Sequence, residues 1–176
     1  GVPNGGPGDA LVGGKIWAVN TLIYGFPADA DIYEMTSPTD GDRYGEGEPL
    51  SGFAPLSSVQ VRAAEAALSQ IAAVSQLEFV RNDVVADIRI AQSHVPSSAW
   101  AYYPDDDPEG GDAWFGSANG YYLDPARGSY GWHAFLHEFG HSVGLKHGHD
   151  HGVIGAGEPL SPDRDSMEWS VMTYRS

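Results

Sequence analysis

The run WHAFLHEFGHSVGLKH, residues 132–147, is where the architecture of this chain is most legible. It holds His137, Glu138, His141, Gly144 and His147 in the spacing HExxHxxGxxH, which is longer than an HExxH pair alone. Residues four apart on a helix share a face, with Cβ atoms about 5–6 Å apart. His137 and His141 therefore suit one ion held by Zn–N bonds of about 2.0–2.1 Å. A third ligand cannot continue that row: His133 extends it backwards, but at about 1.5 Å of rise per residue it lies roughly 12 Å along the axis from His141. Three ligands in line make no tetrahedron. Gly144 is expected to stop the helix in a left-handed conformation and turn the chain, which returns His147 to the metal from a new direction. Three neutral imidazoles leave a fourth zinc position for water, the arrangement of a catalytic site. Glu138, beside the first ligand, is placed to take that water's proton.

Other segments carry a family likeness. Ser170, Val171, Met172, Thr173 and Tyr174 place a tyrosine two residues beyond a methionine, while GDAWFGSAN (111–119) and GSYGWHAFLHE (128–138) lie upstream. With the zinc signature, these make the chain from residue 9 onward similar to the serralysin family of metzincin metalloproteases. The resemblance implies an α+β fold: a twisted, mostly parallel mixed sheet with an antiparallel edge strand, two long helices and a small C-terminal lobe ending in a Met-turn. Residues 1–176 would form one catalytic domain, with an upper lobe over about 1–144 and a lower lobe over about 145–176. It further implies that Tyr174 is a movable fifth zinc ligand and that Met172 floors the site. Ala113, Trp114 and Phe115 would belong to a sheet edge that binds an extended peptide as an added strand. The activity implied is that of a secreted, extracellular zinc endopeptidase acting on protein or peptide substrates. A C-terminal continuation with a further helix and calcium-binding repeats is expected beyond this chain. Where the family carries Pro after the third ligand, this chain has Gly148.

A length of 176 residues supports one domain with a real core. With 24 acidic against 9 basic residues, the net charge of -15 opposes binding to nucleic acid or anionic membrane. There is no cysteine, so any zinc relies on nitrogen and oxygen ligands. Neither a signal-peptide pattern nor an apolar run of about 18 residues is present in the sequence.

Residues 1–14 read as a Gly/Pro-rich arm, and residues 15–27 as a strand pair closed by Pro27. The turn-rich, acidic stretch 28–52 reads as a long surface loop. A helix is expected from Ser57 or Ser58, followed by strands over 78–80, 86–91 and 99–103. His94 reads as a surface or structural histidine rather than a ligand. Asp105, Asp106, Asp107, Glu109 and Asp112 read first as a solvated acidic loop, with a Ca²⁺ site as the alternative, although their spacing is not that of an EF-hand. Beyond the signature, His149 and His151 are rival third ligands, and the Gly144 spacing favours His147.

Two other readings compete with the serralysin-like one. A zinc-binding but inactive module would keep three histidines without needing Glu138, and a protease of another metzincin family would share the signature. A thermolysin-like site, with a third ligand from a second helix, is made unnecessary by His147.

Overall fold

The computed structural model describes residues 11–33, 44–150, 159–161, 165–166 and 170–173. Its sheet is built from β1 (Thr21–Gly25), β2 (Glu78–Arg81), β3 (Ile88–Ser93), β4 (Ala99–Ala101) and β5 (Ala113–Gly116), in the spatial order β2-β1-β3-β5-β4. All neighbours run parallel except β4, which pairs antiparallel with β5 at one edge. Parallel neighbours need a crossover, and helix α1 (Ser58–Val74) supplies it between β1 and β2. Ser57 caps α1 by accepting from the Gln60 N–H, while the Gln60 side chain accepts from the Ser57 N–H. This reciprocal pair satisfies two helix-end donors. Helix α2 (Tyr130–Ser142) packs against α1 and over β4. The fold is thus α+β, with a mostly parallel sheet and two helices.

Alternation along the strands sorts the core into two layers. On the helix side, Ile88, Ile90, Ala113 and Phe115 join Leu22, Leu68, Phe135 and Phe139. Phe115 stacks on Phe135 with ring centroids 4.0 Å apart, fixing the height of α2 over the sheet. On the opposite face, Ala91 and Trp114 meet Tyr33 and Tyr44.

That second layer corrects two expectations. Residues 28–52 are not simply a surface loop: Tyr33, Tyr44, Glu48 and Pro49 are buried against the sheet, while residues 34–43 lie outside the described set. Glu48 is buried because its carboxylate accepts from Trp100 Nε1 (2.8 Å), Tyr102 Oη (2.5 Å) and the Glu46 N–H (3.1 Å), and a buried carboxylate needs such donors. The acidic stretch likewise loses one member to structure. Asp112 is fully buried and paired with Arg89 at 2.7 Å. The strand pair expected over 15–27 is the single strand β1. Residues before it serve another element instead: Trp17 Nε1 donates to the Ser142 carbonyl at 2.8 Å, tying this segment to the end of α2.

Candidate metal centre

Ser129 caps α2, its hydroxyl accepting from the Trp132 N–H at 3.2 Å. His137 and His141 follow on the buried side, 1% and 7% exposed. At the other end Gly144 adopts φ +99°, and a Cβ there would lie 2.6 Å from the Lys15 carbonyl oxygen. The Gly144 N–H donates to the His141 carbonyl (2.9 Å) and the Leu145 N–H to that of Gly140 (2.8 Å). This is a Schellman ending, which closes the last turn and reverses the chain. The reversed segment is held by residues 11–13: Val12 bridges Leu145, and the Lys146 N–H donates to the Leu11 carbonyl at 2.7 Å.

The turn has a chemical result. It carries the Leu145 carbonyl back to His141 Nδ1 at 2.8 Å, while the Val171 carbonyl meets His137 Nδ1 at 2.8 Å. Asp150 Oδ2 meets His147 Nδ1 at 3.2 Å. A carbonyl can only accept, so His137 and His141 carry their proton on Nδ1 and turn an Nε2 lone pair inward. The three Nε2 atoms converge at 3.2, 3.2 and 3.1 Å. Unprotonated nitrogens at that separation repel one another unless a cation lies between them. Tetrahedral ligation with bonds of about 2.05 Å places nitrogens about 3.3 Å apart, so the triad fits zinc. Burial, reinforced by the neighbouring imidazoles, lowers His137 to about 3; burial also lowers His141 to about 4 and shifts His147 downward. Each shift favours the neutral imidazole, the form a metal requires.

Glu138 is buried beside the triad, and burial pushes its carboxyl up to about 8 against the opposing hydrogen bond from the Ala101 backbone on β4. Met172 is fully buried beneath α2. Its segment is pinned by the His137 contact to Val171 and by Thr173 Oγ1 donating to Asp165 Oδ1 at 2.7 Å. Tyr174 and His151 lie outside the described residues. His133 is half-buried, its ring 6.1 Å from that of His137, and it does not join the triad. His149 stacks on His147 at 5.4 Å and, with Asp150, forms a second group of potential ligand atoms. That group shares His147, and His149 Nε2 stands 3.8 Å from Asp150 Oδ1. His94 is exposed, as its sequence context suggests.

The assignment of Ala113, Trp114 and Phe115 to a peptide-binding edge is overturned. β5 lies between β3 and β4, so its backbone is engaged on both sides, and all three side chains are fully buried. The edge is β4, the strand next to it. Gly116 N–H donates to the Ser98 carbonyl and Tyr102 N–H to that of Asp112, so by the alternation of an antiparallel ladder the polar groups of Ala99 and Ala101 face away from the sheet. The sequence misled because AWFG has the composition of any strand, and edge or interior position depends on partners far along the chain. Tyr103 was also missed: its ring meets that of His141 edge-on at 5.4 Å, and nothing in its local sequence signals this. Among the described residues, no helix is long and apolar enough to cross a membrane.

No family model matches the chain. Metalloprotease AprA of Pseudomonas entomophila is 30% identical over 156 residues, covering 82% of this chain and 32% of that protein. Serralysin B of Dickeya chrysanthemi is 29% identical over 138 residues, covering 70% of this chain and 29% of that protein. A serralysin of Photorhabdus laumondii is 26% identical over 140 residues. The chain thus spans about a third of the length of the relatives it matches. The histidine triad formed by α2 and its closing turn, with similarity to these enzymes over most of the chain's own length, supports a serralysin-type metalloprotease.

Proposed function

We propose that this chain is the catalytic domain of a secreted zinc endopeptidase that hydrolyses peptide bonds in protein or peptide substrates. The observation that carries it is the convergence of three Nε2 atoms at 3.1–3.2 Å beside a buried carboxyl. His137, His141 and His147 would hold Zn²⁺. When bound there, zinc supplies Lewis acidity that polarises the scissile carbonyl and acidifies water, and its charge draws Glu138 back toward the ionised form.

The chain's own groups do the rest. Glu138 accepts the proton of the attacking water and passes it to the leaving amine, so one carboxylate serves both halves of the hydrolysis. The outward N–H and carbonyl of Ala99 and the outward carbonyl of Ala101 on β4 pair with an extended substrate backbone, the role first given to β5. The Ala101 N–H, which bonds Glu138, would align that edge with the base. Met172 forms the apolar floor of a Met-turn. By family likeness, Tyr174 would be a further residue to hold the metal and would hydrogen-bond the developing oxyanion. The same reading would divide the domain into an upper lobe over about 1–144 and a lower lobe over about 145–176. Calcium binding and a C-terminal repeat domain are proposed on the same likeness.

The test is hydrolysis of a fluorescent casein by zinc-loaded protein. Cleavage should vanish with a chelator and return with Zn²⁺, and Tyr174→Phe should lower kcat more than it raises KM. Intact casein under zinc saturation would reject the assignment.

A further inference from the structure

The zinc signature assigns Asp150 no role, yet its contacts concentrate on one ligand. Asp150 Oδ2 accepts from the His147 backbone N–H at 3.1 Å and faces the His147 ring Nδ1 at 3.2 Å. The Asp150 N–H donates back to the His147 carbonyl at 3.2 Å, closing a turn. Lys146, a fully buried lysine, donates from Nζ to the Asp150 carbonyl at 3.0 Å.

His147 differs from the other two ligands in what holds it. His137 and His141 sit on α2, and each spends Nδ1 on a backbone carbonyl. His147 lies past the end of the helix and is only partly buried. An imidazole on a turn has two tautomers and a free ring torsion, and it binds metal well only when an outer partner removes both freedoms.

We infer that Asp150 is the positioning residue of the third ligand, holding the His147 ring as its Nδ1–H tautomer with Nε2 turned to the metal, and that Lys146 anchors the turn carrying it. This rests on the zinc reading of the triad. The carboxylate also makes the imidazole a stronger donor to a cation, which a backbone carbonyl does less well. A turn cap alone would need only the 3.1 Å bond to the backbone N–H; the ring contact is the additional feature.

The experiment uses Asp150→Ala and Asp150→Asn in the full chain, with three measurements. In metal-free protein, long-range ¹⁵N NMR of the imidazoles reads the tautomer: His147 should be Nδ1–H in the wild type and a mixture in Asp150→Ala. Zinc affinity, measured by competition with a chromophoric chelator, should fall about 10- to 100-fold in Asp150→Ala. Asp150→Asn keeps an oxygen for both N–H groups but no charge, and should show an intermediate loss with the tautomer retained. The midpoint of metal-free unfolding reads the turn-capping role separately. A lowered midpoint with unchanged tautomer and zinc affinity would reduce Asp150 to a turn cap. Should Asp150→Ala fail to fold, Asp150→Ser, whose hydroxyl is too short to hold both N–H groups, takes its place, and wild-type tautomer and zinc affinity in that variant would overturn the inference equally. Equal zinc uptake by wild type and variants overturns this inference alone, whereas no uptake by the wild type removes the metal reading beneath it.

Discussion

Gly140 faces Met172 so closely that a Cβ at position 140 would collide with the methionine Sδ. The contact joins the middle of the zinc helix to the segment whose Val171 carbonyl orients His137. Replacing a helical glycine by alanine gains about 1 kcal/mol of helix propensity, whereas overpacking a filled core costs about 1–3 kcal/mol. Met172 is fully buried, so its flexibility has nowhere to go. Gly140→Ala should lower stability by up to about 2 kcal/mol and weaken zinc binding through His137. Denaturant unfolding with a chelator titration checks both; a stabilised variant with wild-type zinc affinity would show that Met172 can yield.

Glu138→Gln should retain zinc while losing hydrolysis. General acid/base work contributes about 10²–10⁴ in rate, so kcat should fall by at least the lower figure. Metal analysis of the same preparation separates loss of the base from loss of the ion. Turnover above about a tenth of wild type would mean another group takes the proton.

Alanine at His137, His141 or His147 should abolish tight zinc binding, because each removes one of three converging Nε2 atoms. Alanine at His133 or His149 should change it little, as neither belongs to the triad. Isothermal titration of the five variants decides. Undiminished affinity in His147→Ala would move the third ligand elsewhere on the turn.

A peptide-like inhibitor should protect the outward amide of Ala99 on β4 from hydrogen exchange. The amides of β5 should be slow already in the free protein, being enclosed between β3 and β4. New protection appearing at Ala113–Phe115 instead would restore the first assignment of the binding edge.

Asp112→Asn tests the back of the sheet. Asp112 Oδ1 accepts from the Arg89 N–H at 2.7 Å, and its Oδ2 meets Arg89 Nη2 at 2.7 Å and Tyr44 Oη at 2.5 Å. The substitution leaves the largely buried Arg89 guanidinium without its counter-charge, at a cost of about 3–5 kcal/mol. In a domain of this size that lowers Tm by roughly 6–20 °C. Calorimetry of the zinc-loaded protein would show it, and a shift of less than about 3 °C would mean that Tyr33 and Tyr44, stacked on the guanidinium, suffice to hold it.

Much of the site was legible in sixteen consecutive residues, and the reason is physical. The positions of His137 and His141 follow from helix periodicity, and the turn at Gly144 follows from the conformational freedom of glycine, so short-range rules carry the reading as far as His147. The Ser57 cap and the alternation of Ile88 and Ile90 were readable for the same reason. Long-range pairing was not. Whether AWFG lies at an edge or inside depends on β4 closing over it from twelve or more residues upstream, and strand composition is the same in both cases. Tyr33, Tyr44 and Glu48 looked like parts of a solvated loop because their burial requires Arg89, Trp100 and Trp114 from the sheet and Tyr102 just beyond β4. The outer partners of the ligands divide along the same line: Leu145 and Asp150 lie within four residues of the histidines they orient, whereas Val171 reaches His137 across 34 residues. Local geometry is encoded in spacing, but the neighbours that bury a charge or close a sheet are selected by the free energy of the whole folded chain.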